Sequence, residues 1–281
     1  MHVGAVFFHT EIRVAFKPQR IENIDPPTRD CSWPIYVRVV VLDRKIETRI
    51  ARIEEREQLA ELNLIAGKRA KASTAYASAL TYFTVGTALL ADDCWKRRHE
   101  LTFALELNRA ECEFLTGALT AAENRLQLLS SRAANLVDLA AVTCLQEDLF
   151  TTEGRSDRSV EVCLDYLRRV SVAWSAHPTM DELQDEYEQI WQQLGERPIE
   201  SLLDAPQMNA PVCRATMDVL TAAVAPALFT DQNLYCVIIG RMTNLSLKHG
   251  NSDASSYAYA LLGSVLGPRF DYYEAGFRFE F

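Results

Sequence analysis

The sequence predicts an all-α protein: helical hairpins stacked into a solenoid behind a short irregular or β-hairpin leader. Three observations carry this. Apolar residues recur at helical spacing from Lys45 onward. Glycines stand where successive helical patterns stop, at Gly67, Gly117, Gly154, Gly195 and Gly250. Glycine and proline number only 11 and 10, too few for the many turns of a β-sandwich.

Residues 1–44 read differently from the rest. Pro18, Pro26, Pro27 and Pro34 fall there, between two β-like runs, Val3–Phe16 and Ile35–Leu42. Proline removes a donor and fixes φ, so the middle is a loop. A lone hairpin is marginal in water, so this leader is expected to pack poorly. Residues 45–281 form the helical-repeat domain.

Its first helix starts at Lys45. Ile46, Ile50, Ile53, Leu59, Leu62 and Ile65 form its stripe, and Gly67 is its expected C-terminal cap. The second runs from about Arg69 to Leu90, with Ala72, Tyr76, Ala79, Leu80 and Phe83 on one face. Asp92 and Asp93 offer an N-cap for a helix over 94–116, stopped by Gly117. Others cover 119–133 and reach Glu153 and Val172. Thr179 with Glu182 makes a capping box for an acidic helix ended by Gly195. Pro198 precedes a short helix over 199–203. Asn209 or Pro211 opens the next, which Pro226 is expected to break or kink. Thr230 is expected to cap 231–249, stopped by Gly250. A last full helix covers about 253–266. Residues 271–281 begin one more and stop, so the domain reads as truncated there. Phe277, Phe279 and Phe281 are expected to lack cover and to promote self-association through residues 270–281.

A spacing repeats behind the turn glycines: a small residue five on, a bulky one nine on, a packing residue twelve on. Gly67 leads to Ala72, Tyr76 and Ala79; Gly117 to Ala122, Leu126 and Leu129; Gly154 to Ser159, Cys163 and Tyr166. A small residue lets paired helices approach closely, and bulky ones fill the groove beyond. The pattern resembles the tetratricopeptide repeat. Longer stretches carry a second resemblance: 60–73, Ala75-Tyr76-Ala77-Ser78-Ala79-Leu80, Cys94-Trp95, Glu100-Leu101-Thr102, Arg197-Pro198-Ile199-Glu200, 244–251 and Ala275-Gly276-Phe277-Arg278-Phe279. These words are similar to a helical region of multi-sensor signal-transduction multikinases. Such proteins join a serine/threonine-kinase-like domain, an AAA-type NTPase, a tetratricopeptide-like region, a GAF sensor and a histidine kinase. The resemblance covers roughly residues 52–281. It implies a fragment whose catalytic domains lie outside this chain, or a non-catalytic scaffold for protein–protein interaction or interdomain coupling in signal transduction.

Composition narrows the partners. Lys plus Arg total 29 against 38 Asp plus Glu, a net charge of −9. Nucleic acid needs a basic face and is not expected as a partner. No run of 18 apolar residues occurs, so no membrane span is expected. Seven cysteines without a C-x-x-C pair read as reduced thiols in a cytoplasmic protein.

Catalytic motifs fail one by one. Gly67-Lys68 lacks both the glycine five before it and the Ser/Thr after the lysine, since Leu62 and Arg69 stand there. Arg98-His99-Glu100-Leu101-Thr102 is superficially like a phospho-accepting histidine box, yet lacks its proline; a solvated helix face is expected at His99. No two histidines share a face at i, i+4 spacing for a metal. The acidic stretch Asp181, Glu182, Asp185, Glu186 and Glu188 reads as a solvated face. Basic clusters Lys68/Arg69/Lys71 and Lys96/Arg97/Arg98 read as exposed helix starts and turns. The sequence therefore assigns no catalytic, cofactor-binding or metal-binding residue and implies no enzyme activity in this chain. The expected partner is a protein, or adjacent domains of a signalling protein.

Overall fold

The structure is a computed structural model that describes residues 53–280. The leader over residues 1–44, and the expected helix start at Lys45, lie outside the described residues. Those described are helical throughout, with no named strand among them. The helices are α1 (Ile53–Ala72), α2 (Tyr76–Ala88), α3 (Cys94–Arg97), α4 (His99–Leu115), α5 (Leu119–Arg132), α6 (Leu136–Thr152), α7 (Ser156–Arg169), α8 (Met180–Leu194), α9 (Pro211–Thr230), α10 (Gln232–His249), α11 (Ser255–Phe270) and α12 (Tyr273–Glu280), with a 3-10 turn at Ile199–Asp204.

The turn chemistry behaves as the sequence suggests at Gly117 and Gly154, both left-handed, with φ of 83° and 72°. In each case the next residue donates to a carbonyl five back: Ala118 to Glu113 and Arg155 to Phe150, both at 2.8 Å. That bond closes a Schellman-type C-cap. The residues five, nine and twelve beyond are buried: Ala122, Leu126, Leu129, and Ser159, Cys163, Tyr166.

The first hairpin corrects the sequence reading. Gly67 does not cap α1; it lies inside the helix and is buried. A Cβ there would come 2.4 Å from Phe83 Cε1, so this glycine lets the α2 aromatic ring lie against the α1 backbone. The turn is made instead by Thr74, left-handed at φ 58°, with Ala75 donating to Ala70 at 2.9 Å. Counted from Thr74, the same spacing falls on Ala79, Phe83 and Gly86, all buried. Ala79 has no exposed surface, while Thr81 is exposed. Replacing Ala79 by Phe should therefore overpack the hairpin at about 1–3 kcal/mol. Thr81→Phe should cost far less, and equal melting temperatures for the two variants would refute this placement.

Other boundaries were legible. Thr179 and Glu182 form the full capping box, Pro211 sits in the first turn of α9, and Gly195 and Gly250 follow their helices. Three differ. Asp93 makes no side-chain cap, and the helix expected over 94–116 is split at Arg98. Asp231, not Thr230, caps α10, accepting from Leu234 N at 2.9 Å. Pro226 does not break α9, which runs unbroken to Thr230. Its ring is buried, so packing on that side offsets the lost backbone bond.

From α1 to α7 each long helix packs on the next. The cores overlap: α4 sends Leu101, Leu105 and Cys112 back to α1 and α2, and Phe103 and Ala110 forward to α5 and α6. Chain order then breaks. α9 packs on α6 and α7, whereas α8 packs mainly on α10. α8 contributes Leu183, Tyr187, Ile190 and Leu194 to a core shared with α10 and α11.

The C-terminal reading is corrected in part. Phe279 is buried, with Trp191 and Tyr259 ring centroids 6.4 and 6.2 Å away. Arg278 donates to both oxygens of Glu200 at 3.0 and 2.8 Å. Phe277 is exposed, and Phe281 lies outside the described residues.

Candidate protein-binding groove

The charged clusters in the sequence mostly serve the fold. Arg97 and Arg98 both reach Glu57, at 3.2 and 3.0 Å, and Arg98 also pairs with Glu61. Lys71 Nζ lies 2.5 Å from Glu111 and 2.8 Å from Asn108 Oδ1. These side chains staple α1 to the α3–α4 segment rather than stand as a free basic face. Lys68 and Arg69 remain exposed. His99 lies only in part on a solvated face. Its ring is half-buried between Trp95 and Phe103, and its Nε2 lies 2.7 Å from the Arg132 carbonyl at the end of α5.

The acidic stretch divides. Asp181, Glu182, Asp185 and Glu188 are exposed, but Glu186 is only 3% exposed. Burial pushes its carboxyl up, opposed by Arg241, whose Nη2 lies 3.0 Å away. The approach is too oblique for a hydrogen bond. Asn244 donates to the Glu186 carbonyl at 2.8 Å and accepts from Gln193 at 2.8 Å, so this asparagine joins α8 and α10.

Among the described residues, no group of three or more His, Cys, Asp or Glu is placed to hold a metal. The feature that does offer a surface is a groove of about 890 Å³ over α9. Its floor is Thr221, Ala222 and Ala225. One wall is the C-terminal half of α6, with Asp148 and Thr151; the other is the turn before α11 and its first turn, with Asp253 and Tyr257; Phe114 of α4 also lines it. A second cavity of about 360 Å³ shares Asp218 and Asp253 and extends toward Arg214 and Asn251.

The local chemistry of α9 explains the groove. Ala215, Leu220, Ala223, Val224 and Ala227 face the core. The opposite face carries Asp218, Ala222, Ala225 and Phe229, again at helical spacing. Apart from Asp218 the helix is thus apolar on both sides, long and apolar enough by composition to cross a membrane, with half of its most apolar stretch buried. Core helices pass the same test. Leu228 and Phe229 are 53% and 79% exposed, continuing the floor beyond the groove. Pro226 brings no N–H to the Ala222 carbonyl, so a floor residue keeps an acceptor without its intrahelical donor.

The groove is electronegative. Burial and the charge of Glu111 push the Asp148 carboxyl up. Burial and Asp253 do the same to Asp218, against the pull of Arg214. The Cys144 thiol on the wall is pushed up by burial and by Glu147, Asp218 and Asp148. It is therefore a poor nucleophile. Such a site favours a positive charge between its walls and offers little toward bond-making chemistry.

Sequence reasoning missed these residues because Asp148, Asp218 and Asp253 lie on three separate elements. The two-sided apolar pattern of 211–230 was the available signal. The C-terminal words carrying the multikinase resemblance, over 197–200, 244–251 and 275–279, do converge, but elsewhere. Arg197 and Lys248 line a cavity of about 420 Å³, Arg278 pairs with Glu200 beside it, and Asn251 donates to the Leu202 carbonyl at 2.7 Å. Those words hold the C-terminal helices together.

No protein-family model matches the chain, and no solved structure matches it. The chain is 22% identical over 253 residues to hybrid signal transduction histidine kinase G of Dictyostelium discoideum. The match covers 80% of this chain but 7% of that protein. The helical chain is therefore distantly related to a protein of signal transduction, of which it corresponds to a small part.

Proposed function

We propose that this chain is a non-catalytic helical scaffold for protein–protein interaction in a signalling pathway, built of tetratricopeptide-like hairpins, and that the groove over α9 is its binding surface. The uncovered apolar face of α9 carries this reading. A 20-residue helix that carries apolar side chains on two faces is normally covered on both. The hairpins of α1–α7, with their recurring left-handed turns and buried small residues, support the tetratricopeptide likeness. The related signalling histidine kinase supports the context, and the six cysteines among the described residues, all free, support a cytoplasmic location. A second reading makes the chain a coupling segment of a longer sensor kinase or ATPase polypeptide, because its relative is a far longer protein. Residues 270–281 are proposed as a lesser contact surface for self-association, supported by Tyr272 and Tyr273 at 50% and 65% exposure.

The test is a display screen of random peptides against the purified chain, counter-screened on Ala225→Trp. Ala225 is exposed in the groove floor, so tryptophan there fills the groove and leaves the core alone. Peptides that bind the parent chain and lose at least about tenfold on the variant, about 1.4 kcal/mol, are expected. A screen in which every recovered peptide binds both proteins equally overturns the assignment of the groove.

A further inference from the structure

We infer that the α9 groove receives an amphipathic α-helix of a partner protein, with small and aliphatic residues on its apolar face and lysine or arginine on its flanks. This rests on the protein-binding reading above and names the occupant.

Thr221, Ala222 and Ala225 form a floor of small side chains. Small residues at a helix contact let two axes come within about 8 Å. An extended strand would leave its unpaired backbone groups facing alanine. A helix satisfies them internally. From Asp218 to Phe229 the face runs about 16 Å, near three turns. At one end, exposed Leu228 and Phe229 offer the larger apolar contact.

Charge then selects the flanks. Asp148 stands on one wall and Asp253 on the other, with Asp218 between them. Burial and mutual repulsion already hold the Asp218 proton more tightly than usual. A lysine or arginine on each flank of the incoming helix relieves that repulsion, and its stem lies along the apolar wall. The Ala222 carbonyl, lacking a donor from Pro226, is a further acceptor for such a side chain. A second copy of this chain fits less well, because its net charge is −9. An anionic membrane surface is repelled by the same carboxylates.

The experiment measures fluorescence anisotropy of labelled peptides of about 18 residues, five turns long, with the full chain. One peptide has an Ala/Leu face with lysine flanks. A second has the same composition scrambled so that no face exists. A third carries glutamate flanks. The lysine-flanked helix should bind, and the other two should bind at least about tenfold more weakly. Ala225→Trp should abolish binding, whereas Leu203→Trp, at an exposed site on the 3-10 turn, should not. Asp148→Asn and Asp253→Asn should each weaken it about two- to fivefold, and less in high salt. Melting curves check that each variant is folded. Equal binding of the scrambled or glutamate-flanked peptide overturns the inference. So does groove-dependent self-association in sedimentation, or groove-dependent binding to phosphatidylserine vesicles. If the display screen yields only extended or acidic peptides that Ala225→Trp blocks, this inference falls and the protein-binding reading stands. If no groove-dependent binder of any kind emerges, both fall.

Discussion

Gly250→Ala should be the most damaging small substitution among the described glycines. Gly250 has φ 94° and ψ 175°, a region open almost only to glycine. An added Cβ would lie 2.2 Å from the Pro206 carbonyl oxygen, which is backbone and cannot swing aside. That carbonyl accepts from Asn251 N at 2.7 Å, and Met208 N donates to the Asn251 carbonyl at 2.8 Å. Asn251 also accepts from Tyr259 at 2.9 Å. Moving the 206–208 segment would therefore break several bonds together. We expect a loss of about 3–5 kcal/mol and a fall in Tm on the order of 10 °C. Gly117→Ala is the comparison. It is also left-handed, at φ 83°, but nothing lies within 4 Å of its Cβ. It should cost only about 1–2 kcal/mol. Thermal melts of both variants check this, and equal shifts would refute the clash at Pro206.

The second large effect is a pH dependence at Glu147. This side chain has no exposed surface, and no hydrogen bond of ordinary geometry reaches either oxygen. Burial pushes its carboxyl well above the usual range. The Cys163 thiol, a weak donor, offsets this only in part, and Asp148 adds to it. The folded state thus holds a proton that the unfolded chain releases near the ordinary carboxyl range. Stability from this group is full at low pH and is lost as pH rises from there toward the folded-state value. Glu147→Gln keeps the shape without the charge. At pH 8 the variant should exceed the parent chain by about 1–3 kcal/mol, the usual cost of an uncompensated buried polar group. At pH 5 the two should be close. Urea unfolding across pH 5–8 measures the difference, and parallel stability curves would show that Glu147 is not buried as a neutral acid.

What the sequence disclosed depended on how local each signal was. The Thr179–Glu182 box, Pro211 in the first turn of α9, and the stops at Gly117, Gly154 and Gly250 are contained within a few residues. Gly67 was misread because a glycine in a helical pattern serves either as a cap or as a site of close approach. Only Phe83, across the hairpin, decides between them. Thr74 left no trace, since a β-branched residue is a poor choice for a left-handed turn. Glu147 lies on the stripe with Thr143 and Phe150, a placement that sequence patterning registers as one polar interruption. The groove was least legible of all. Its carboxylates come from α6, α9 and the turn before α11, far apart in sequence, and α9 packing on α6 brings the first two together.

The placement of α8 against α10 has a consequence for how the chain is made. During synthesis, α2 and α4 to α7 each emerge beside a helix already made. α8 emerges with Leu183, Tyr187 and Ile190 exposed and must wait for α10. At about 5–20 residues per second, the ribosome needs roughly 3–11 s to pass from Leu194 to His249. During that interval the capping box holds the helix start while its apolar face is open to chaperones or to a neighbouring nascent chain. Slower translation across residues 195–249 would lengthen that exposure, and the yield of folded protein should be more sensitive to codon choice there than anywhere in α1–α7.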